Sequence, residues 1–247
     1  MCFAIGGAIG ATWGQRTGQI SLLKTISWRV YVFGTAGLFG YHFLYFSALR
    51  NAPAAEAGLL AYLWPILIVL FSGLLPGDRL ATRQVLGAAI AFSGAGLVLS
   101  GGISAYQPDY LTGYMLALGC ALVWSTYSVL SRAIAHVPTI SVAVFCLASS
   151  VLSLFAHLAF ETTRWPSGAT GWLAILLLGI GPLGVAFFMW DIGMKKGDIQ
   201  LLGVASYAAP VVSTVILIIA GVAGFNLQLL ASAFLVFIGA LVAARAH

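Results

Sequence analysis

The chain has 247 residues, of which 61% are hydrophobic and 7% are charged, and its formal net charge is +5. A typical soluble domain carries about 25% charged residues, so a soluble fold of this length could not cover its surface with so few. The basic residues are scattered between apolar runs, which excludes a nucleic-acid-binding surface. The composition therefore indicates a protein whose solvent is the lipid bilayer.

Long apolar runs follow one another along the chain and are separated by short connections. A helix that crosses a bilayer needs about 20 mostly apolar residues. Eight segments qualify: 29–49, 56–75, 82–100, 111–132, 139–160, 169–190, 199–220 and 226–244. A ninth apolar segment, residues 1–12, is too short to span. The pattern predicts an all-α, multi-pass membrane protein without a soluble domain.

The positions of the basic residues predict the orientation in the membrane. If residue 12 emerges in the cytoplasm, nine Lys and Arg lie on the cytoplasmic side and two on the other. The nine are Arg16, Lys24, Arg29, Arg79, Arg83, Arg132, Lys195, Lys196 and Arg245, and the two are Arg50 and Arg164. Cytoplasmic loops of membrane proteins carry the excess of Lys and Arg, so we expect a cytoplasmic C-terminus.

An internal repeat relates the two halves of the chain. The segment Tyr62-Leu-Trp-Pro65 recurs as Tyr207-Ala-Ala-Pro210, an offset of 145 residues. The same offset pairs Gly34 with Gly179, Gly58 with Gly203, Phe92 with Phe237, Gly94 with Gly239 and Arg50 with Lys195. Five helices separate corresponding points, and five is odd, so the halves should lie inverted in the membrane. We predict two repeats, residues 1–100 and 110–247.

The offset also predicts that the first repeat is incomplete. The second half begins near Tyr110, so its counterpart would begin about 35 residues before Met1. We therefore expect a ten-helix inverted-repeat transporter, five helices plus five, that here lacks the first helix and part of the second.

These features resemble the drug/metabolite transporter superfamily, EamA type. The resemblance rests on the five-helix inverted repeat, the Tyr-x-x-Pro helix in each half, and Gly94 and Gly239 in the closing helices. Within the superfamily, residues 61–70 and Trp124-Ser-Thr-Tyr127 are similar to bacterial aromatic amino acid exporters. Many relatives carry an acidic residue after the fourth helix of each half. Here it survives only as Asp78, with no counterpart near Ala223.

The resemblance implies an exporter in the bacterial inner membrane whose cargo is aromatic and other apolar amino acids. We expect its partners to be this small-molecule substrate and the lipid bilayer. The sequence predicts a monomer with no cofactor, no metal site and no nucleic-acid partner. It also predicts alternating access through a central cavity between the halves.

Prolines inside three apolar runs predict helix breaks. Pro65 and Pro210 are equivalent in the repeat and lie near mid-helix, whereas Pro182 has no counterpart. Proline removes a backbone hydrogen bond, and irregular backbone at membrane depth is tolerated only inside protein or beside a water-filled cavity. We expect the kinks at Pro65, Pro182 and Pro210 to serve gating; simple helix shaping is the alternative.

Aromatic side chains in the middle of the predicted helices are the candidates for substrate binding. Buried hydroxyl and indole N–H groups need partners, which a wet cavity supplies. The candidates are Tyr41, His42, Tyr45, Tyr62, Trp64, Trp124, Tyr127 and Tyr207. Helix packing is the alternative for each, and His42 could instead carry protons or be a hydrogen-bonded structural residue.

Other functions fit the sequence less well. A multidrug or other metabolite exporter of the same fold stays open. A membrane-embedded enzyme would need a cluster of buried catalytic groups, and none appears, nor does a metal-spaced set of Cys and His. A non-transporting membrane subunit is a third possibility. Glu56 and Asp191 lie at predicted helix ends, where carboxylates can reach the interface, and Gly6-x-x-x-Gly10 should allow close helix approach.

Overall fold

The computed structural model describes residues 1–76, 80–99, 108–221 and 227–244, and these form helices joined by short connections. The helices are α1 (Cys2–Arg16), α2 (Trp28–Asn51), α3 (Ala54–Ala61), α4 (Trp64–Ser72), α5 (Thr82–Leu99), α6 (Leu111–Ala133), α7 (Ser141–Phe160), α8 (Ala169–Ile180), α9 (Ala186–Lys196), α10 (Ile199–Ala205), α11 (Ala208–Ile219) and α12 (Leu227–Ala244). Asp78, Arg79, Ala223 and Arg245 lie outside the described residues.

Six helical segments of the described chain are long and apolar enough to cross a membrane. They are Trp28–Asn51, Ala54–Ser72, Pro108–Ala133, Ser141–Phe160, Ala169–Lys196 and Ile199–Ile219. All six coincide with predicted runs, and α5 and α12 occupy the other two. Leucine and phenylalanine side chains on α7 and α8 are exposed, as lipid-facing surfaces require. The prediction of an all-α, multi-pass membrane protein is confirmed.

The chain forms two compact units. Unit 1 contains Met1–Phe43 and Leu130–Lys196, and unit 2 contains Leu44–Val129 and Gly197–His247. Each unit combines segments from both halves of the sequence, so a compact unit is not a sequence repeat. The predicted repeats, residues 1–100 and 110–247, stay a prediction.

In unit 1, glycines let α1 approach its neighbours closely. A methyl group on Gly6 would lie 2.5 Å from the carbonyl oxygen of Leu183, and one on Gly10 would overlap the ring of Phe188. The expected close approach at Gly6-x-x-x-Gly10 is therefore confirmed. Leu183 belongs to a π-helical turn, Gly181–Val185, that joins α8 to α9 and contains Pro182, so the predicted break at this proline is present.

In unit 2, α5 and α12 pack through contacts that follow the repeat. A methyl group on Gly87 would lie 2.5 Å from the carbonyl oxygen of Gly239, and the reciprocal distance is also 2.5 Å. The hydroxyl of Ser232 donates a hydrogen bond to the carbonyl oxygen of Gly94 at 2.5 Å. Under the repeat offset of 145, Gly87 is equivalent to Ser232 and Gly94 is equivalent to Gly239. The two contacts are thus equivalent, as across a two-fold axis.

Candidate functional site

Pro65 lies just after a distortion of the helix within one membrane-spanning segment, Ala54–Ser72, as the predicted kink requires. Helix α3 ends at Ala61 and α4 begins at Trp64, with Pro65 in the first turn of α4. Proline is tolerated there because the first turn of a helix has no acceptor for its N–H groups. The regular α-helical hydrogen bonding is interrupted near the middle of this segment, where the N–H of Leu63 donates to the carbonyl oxygen of Leu60 at 3.2 Å, three residues earlier. This interruption is called the break at Pro65 below.

Pro210 lies at the corresponding break in the second half. Helix α10 ends at Ala205 and α11 begins at Ala208, so Pro210 is in the first turn of α11. The two breaks agree to within one residue under the repeat offset. At its other end α10 is capped by Asp198, whose carboxylate accepts N–H bonds from Gln200 at 3.0 Å and Leu201 at 2.9 Å.

Tyr207 connects the two breaks. Its hydroxyl accepts a hydrogen bond of 3.1 Å from the backbone N–H of Ile66, a first-turn group of α4. Its ring is fully buried and packs against Phe92 at 5.8 Å. Because the side chain has no exposed surface, this conformation favours a structural role for Tyr207 over the predicted substrate contact.

Three of the predicted aromatic residues form a continuous cluster in unit 2. The ring of Trp64, which follows the break, lies edge-to-face on Trp124 with centroids 6.4 Å apart. Trp124 in turn contacts Tyr127 at 5.4 Å. Trp124 and Tyr127 are buried, whereas Trp64 is half-buried. The structure thus brings these three predicted residues together, and Trp64 is the one whose ring retains accessible surface.

Tyr45 and Tyr62 are half-buried residues of the same unit. Tyr62 is the N-terminal flank of the break at Pro65 and Trp64 is the C-terminal flank. The break therefore carries one phenol and one indole that each retain accessible surface.

Tyr41 and His42 belong to unit 1. The His42 Nδ1 atom lies 2.8 Å from the carbonyl oxygen of Leu38, one helical turn earlier. Because a carbonyl oxygen can only accept, Nδ1 carries the proton. The ring also contacts Phe3 and Tyr41, both with centroids at 4.9 Å, and Phe187 at 5.8 Å. The structural alternative for His42 is thus what this hydrogen bond and packing favour.

Asp191 and Lys195 require a correction. The sequence placed Asp191 at a helix end, where its carboxylate would reach the membrane interface, and Lys195 among the charges that set the orientation. Instead they form a buried ion pair of 2.8 Å on α9. Their i, i+4 spacing was the available sequence signal. A carboxylate in apolar surroundings is stable only with such a partner.

Glu56 is buried as well. The hydroxyl of Tyr114 donates a hydrogen bond to its carboxylate. The sequence does not reveal this partner, because the two residues are 58 positions apart, on α3 and α6. Among the described residues, no group of three or more His, Cys, Asp and Glu is placed to hold a metal ion.

The sequence matches the EamA-like transporter family over residues 1–100 and 111–245. It is 52% identical to the "Aromatic amino acid exporter YddG" of Ancylobacter novellus over 98% of this chain and 85% of that protein. The exporter of the same name from Salmonella typhimurium is 29% identical, over 68% of this chain and 59% of that protein.

A solved crystal structure is similar to this one. The two chains superpose with a TM-score of 0.93 and are 52% identical, over 99% of this chain and 85% of the other. The family match covers both halves of the chain, and all the helices with broken backbone lie inside the matched ranges. The chain therefore belongs to the EamA-like transporter family.

Proposed function

We propose that the chain exports aromatic and other apolar amino acids by alternating access through a central, aromatic-lined cavity. The observation that carries the proposal is the aromatic cluster of Trp64, Trp124 and Tyr127 beside the helix break at Pro65. Broken membrane helices at equivalent positions of two repeats are where secondary transporters bind their cargo. The relatives named as aromatic amino acid exporters support the same cargo.

The chemistry of the cluster suits an aromatic or branched apolar side chain. Aromatic pairs gain roughly 0.5–1.5 kcal/mol beyond the burial of their surface. The half-buried ring of Trp64 offers such a surface, and Tyr45 and Tyr62 add hydroxyl groups for the polar end of an amino acid. We propose that these residues contact the substrate together with Trp124 and Tyr127.

The proposal includes an orientation. We place the protein in the bacterial inner membrane with its C-terminus in the cytoplasm, because Lys and Arg are concentrated on one side of the predicted spans. Lys195 is buried beside Asp191 rather than exposed in a loop, so it does not count toward this asymmetry. Eight basic residues against two still favour the same orientation.

Uptake of labelled amino acids into proteoliposomes tests the proposal. The wild type should show saturable uptake of aromatic and other apolar amino acids, and Trp64→Ala and Tyr62→Ala should abolish it. Trp172→Ala is the matched control, because Trp172 stacks on Trp165 at 5.9 Å and is not one of the predicted substrate-binding residues. Absence of amino acid uptake by folded wild-type protein, with uptake of drugs or other metabolites, would replace the proposed cargo.

A further inference from the structure

The contacts of unit 2 that follow the repeat fall into two classes. The first class lies between α5 and α12. There, a shift of each residue by the repeat offset of 145 turns one contact into another that is also formed, as with the pairs Gly87–Gly239 and Gly94–Ser232. In the second class, the contact between α4 and α10 at Gly203 is not repeated at the counterpart position, Gly58, among the described residues. If the two inverted halves exchange their conformations, each contact of the first class is replaced by its equivalent and the set stays intact. A contact of the second class has no equivalent and must break.

The α4–α10 contact depends on Gly203. A methyl group on this glycine would lie 3.1 Å from the carbonyl oxygen of Pro65 and 3.2 Å from the side chain of Val69. Its repeat counterpart is Gly58, which would correspondingly lie against Pro210. A methyl group on Gly58 would meet no described atom within 4 Å. One half of the repeat is therefore closed at this point, whereas the other is open.

The hydrogen bond of Tyr207 follows the same asymmetry. Tyr207 caps the N–H of Ile66 beside the closed contact. The counterparts of these residues are Tyr62 and Val211. Helix α11 begins with Tyr207 as its N-cap, so the N–H of Val211 lies inside the helix, where the residue four positions earlier is its regular acceptor. Tyr62 is half-buried rather than buried as Tyr207 is.

Beyond the break, a second polar contact holds the closed side. The amide nitrogen of Gln84 donates to the amide oxygen of Gln200 at 2.7 Å, between the first turns of α5 and α10. Both side chains are buried. In the proposed orientation this contact lies on the cytoplasmic side of the break.

We infer that Tyr207 and Tyr62 are positioning residues that alternate as caps of the two broken helices during transport. Tyr207 caps Ile66 when α4 and α10 are packed together. In the opposite state this bond opens, Tyr62 caps the N–H of Val211, and Gly58 packs on the carbonyl of Pro210. The inference rests on the proposed alternating access. In it, the helix breaks at Pro65 and Pro210 are the elements that switch between two arrangements.

Hydrogen exchange in the absence of substrate tests the alternation, with mass spectrometry as the readout. A hydrogen bond of this kind is worth roughly a factor of three to ten in an equilibrium. Tyr207→Phe should therefore speed exchange in residues 64–68 and 199–205 by about three- to tenfold. Tyr62→Phe should leave exchange there equal to or slower than in the wild type. Tyr110→Phe, which removes a phenol hydroxyl at the start of α6, is the control and should change neither segment.

Equal acceleration by Tyr62→Phe and Tyr207→Phe would overturn the alternation, as would no acceleration by Tyr207→Phe. This measurement needs no substrate, so its failure is distinct from a failure of wild-type protein to transport amino acids. The latter result would count against the proposed function alone.

A glycine pair gives a second test through transport. Gly58→Ala has space in the described conformation but would meet Pro210 in the opposite state, so it should keep the wild-type fold and lose transport. Gly96→Ala is the control, because its methyl group would make only an ordinary contact of 3.6 Å with Leu59. Wild-type transport by Gly58→Ala would overturn the predicted opposite state.

Discussion

The carboxylate of Asp191 accepts hydrogen bonds from the ammonium group of Lys195 at 2.8 Å and from the hydroxyl of Thr139 at 2.7 Å. The Lys195 ammonium also donates to the carbonyl oxygen of Val137 at 2.9 Å. The two charged side chains are 2% and 4% exposed. The pair therefore ties the end of α9 to the connection between α6 and α7, and each charge depends on the other.

Asp191→Asn should lower the free energy of unfolding by about 3–5 kcal/mol, because it leaves a buried ammonium group without a counter-charge. Asp191→Leu combined with Lys195→Met removes both charges and should recover most of the loss. Thermal unfolding of the purified protein measures both. Asp109→Asn, at an exposed position, is the control. A double variant as unstable as the single one would contradict the interpretation as a compensated pair.

The architecture could be predicted well from the sequence, because each helix and each break is determined by residues that are close together along the chain. Apolar runs of membrane-spanning length predict helices, and prolines inside them predict breaks; both are present. The burial of Asp191 was missed because interface placement was inferred from its position near a helix end alone. The partner of Glu56 was missed because Tyr114 meets it through tertiary packing, for which the sequence carries no periodic signal.

The candidate site was predictable in composition more than in roles. Trp64, Trp124 and Tyr127 do come together. The i, i+3 spacing of Trp124 and Tyr127 places these two on one helix face. The repeat made Tyr62 and Tyr207 look equivalent. In the described conformation one is half-buried and the other is in the core. A repeat in sequence does not reveal which half is closed, since that depends on the conformational state.

Trp64→Ala and Trp124→Ala should separate binding from stability. Trp124 is 7% exposed, so removal of its ring should cost about 3–5 kcal/mol of unfolding free energy. Trp64 retains accessible surface, so its removal should cost less stability and more affinity for aromatic amino acids. Calorimetric titration with tryptophan, beside thermal unfolding, measures both quantities. Equal stability losses would mean that Trp64 is a packing residue and would remove it from the proposed site.

Gly87→Ala and Gly239→Ala should destabilise the protein by similar amounts, about 1–3 kcal/mol each. The added methyl group meets a backbone carbonyl oxygen at 2.5 Å in both cases, and backbone cannot yield as a flexible side chain does. Gly96→Ala should be neutral by comparison. Unfolding in a denaturant series measures the difference. Tolerance of either substitution would show that α5 and α12 separate more readily than their contact indicates.

Export should continue when the proton gradient is collapsed. The Glu56 carboxylate is hydrogen-bonded by Tyr114, that of Asp191 is paired with Lys195, and that of Asp198 caps α10. Each of these acids stabilises the fold, and a carboxyl group that must load and release protons would have to break such contacts in every cycle. Uptake into proteoliposomes with and without a proton ionophore measures the dependence, and the two rates should agree.

Glu56→Gln should also transport, because its amide oxygen can still accept the Tyr114 hydrogen bond. Loss of transport with the ionophore would instead require a proton-coupled mechanism, and loss in Glu56→Gln as well would make Glu56 the group that carries the proton.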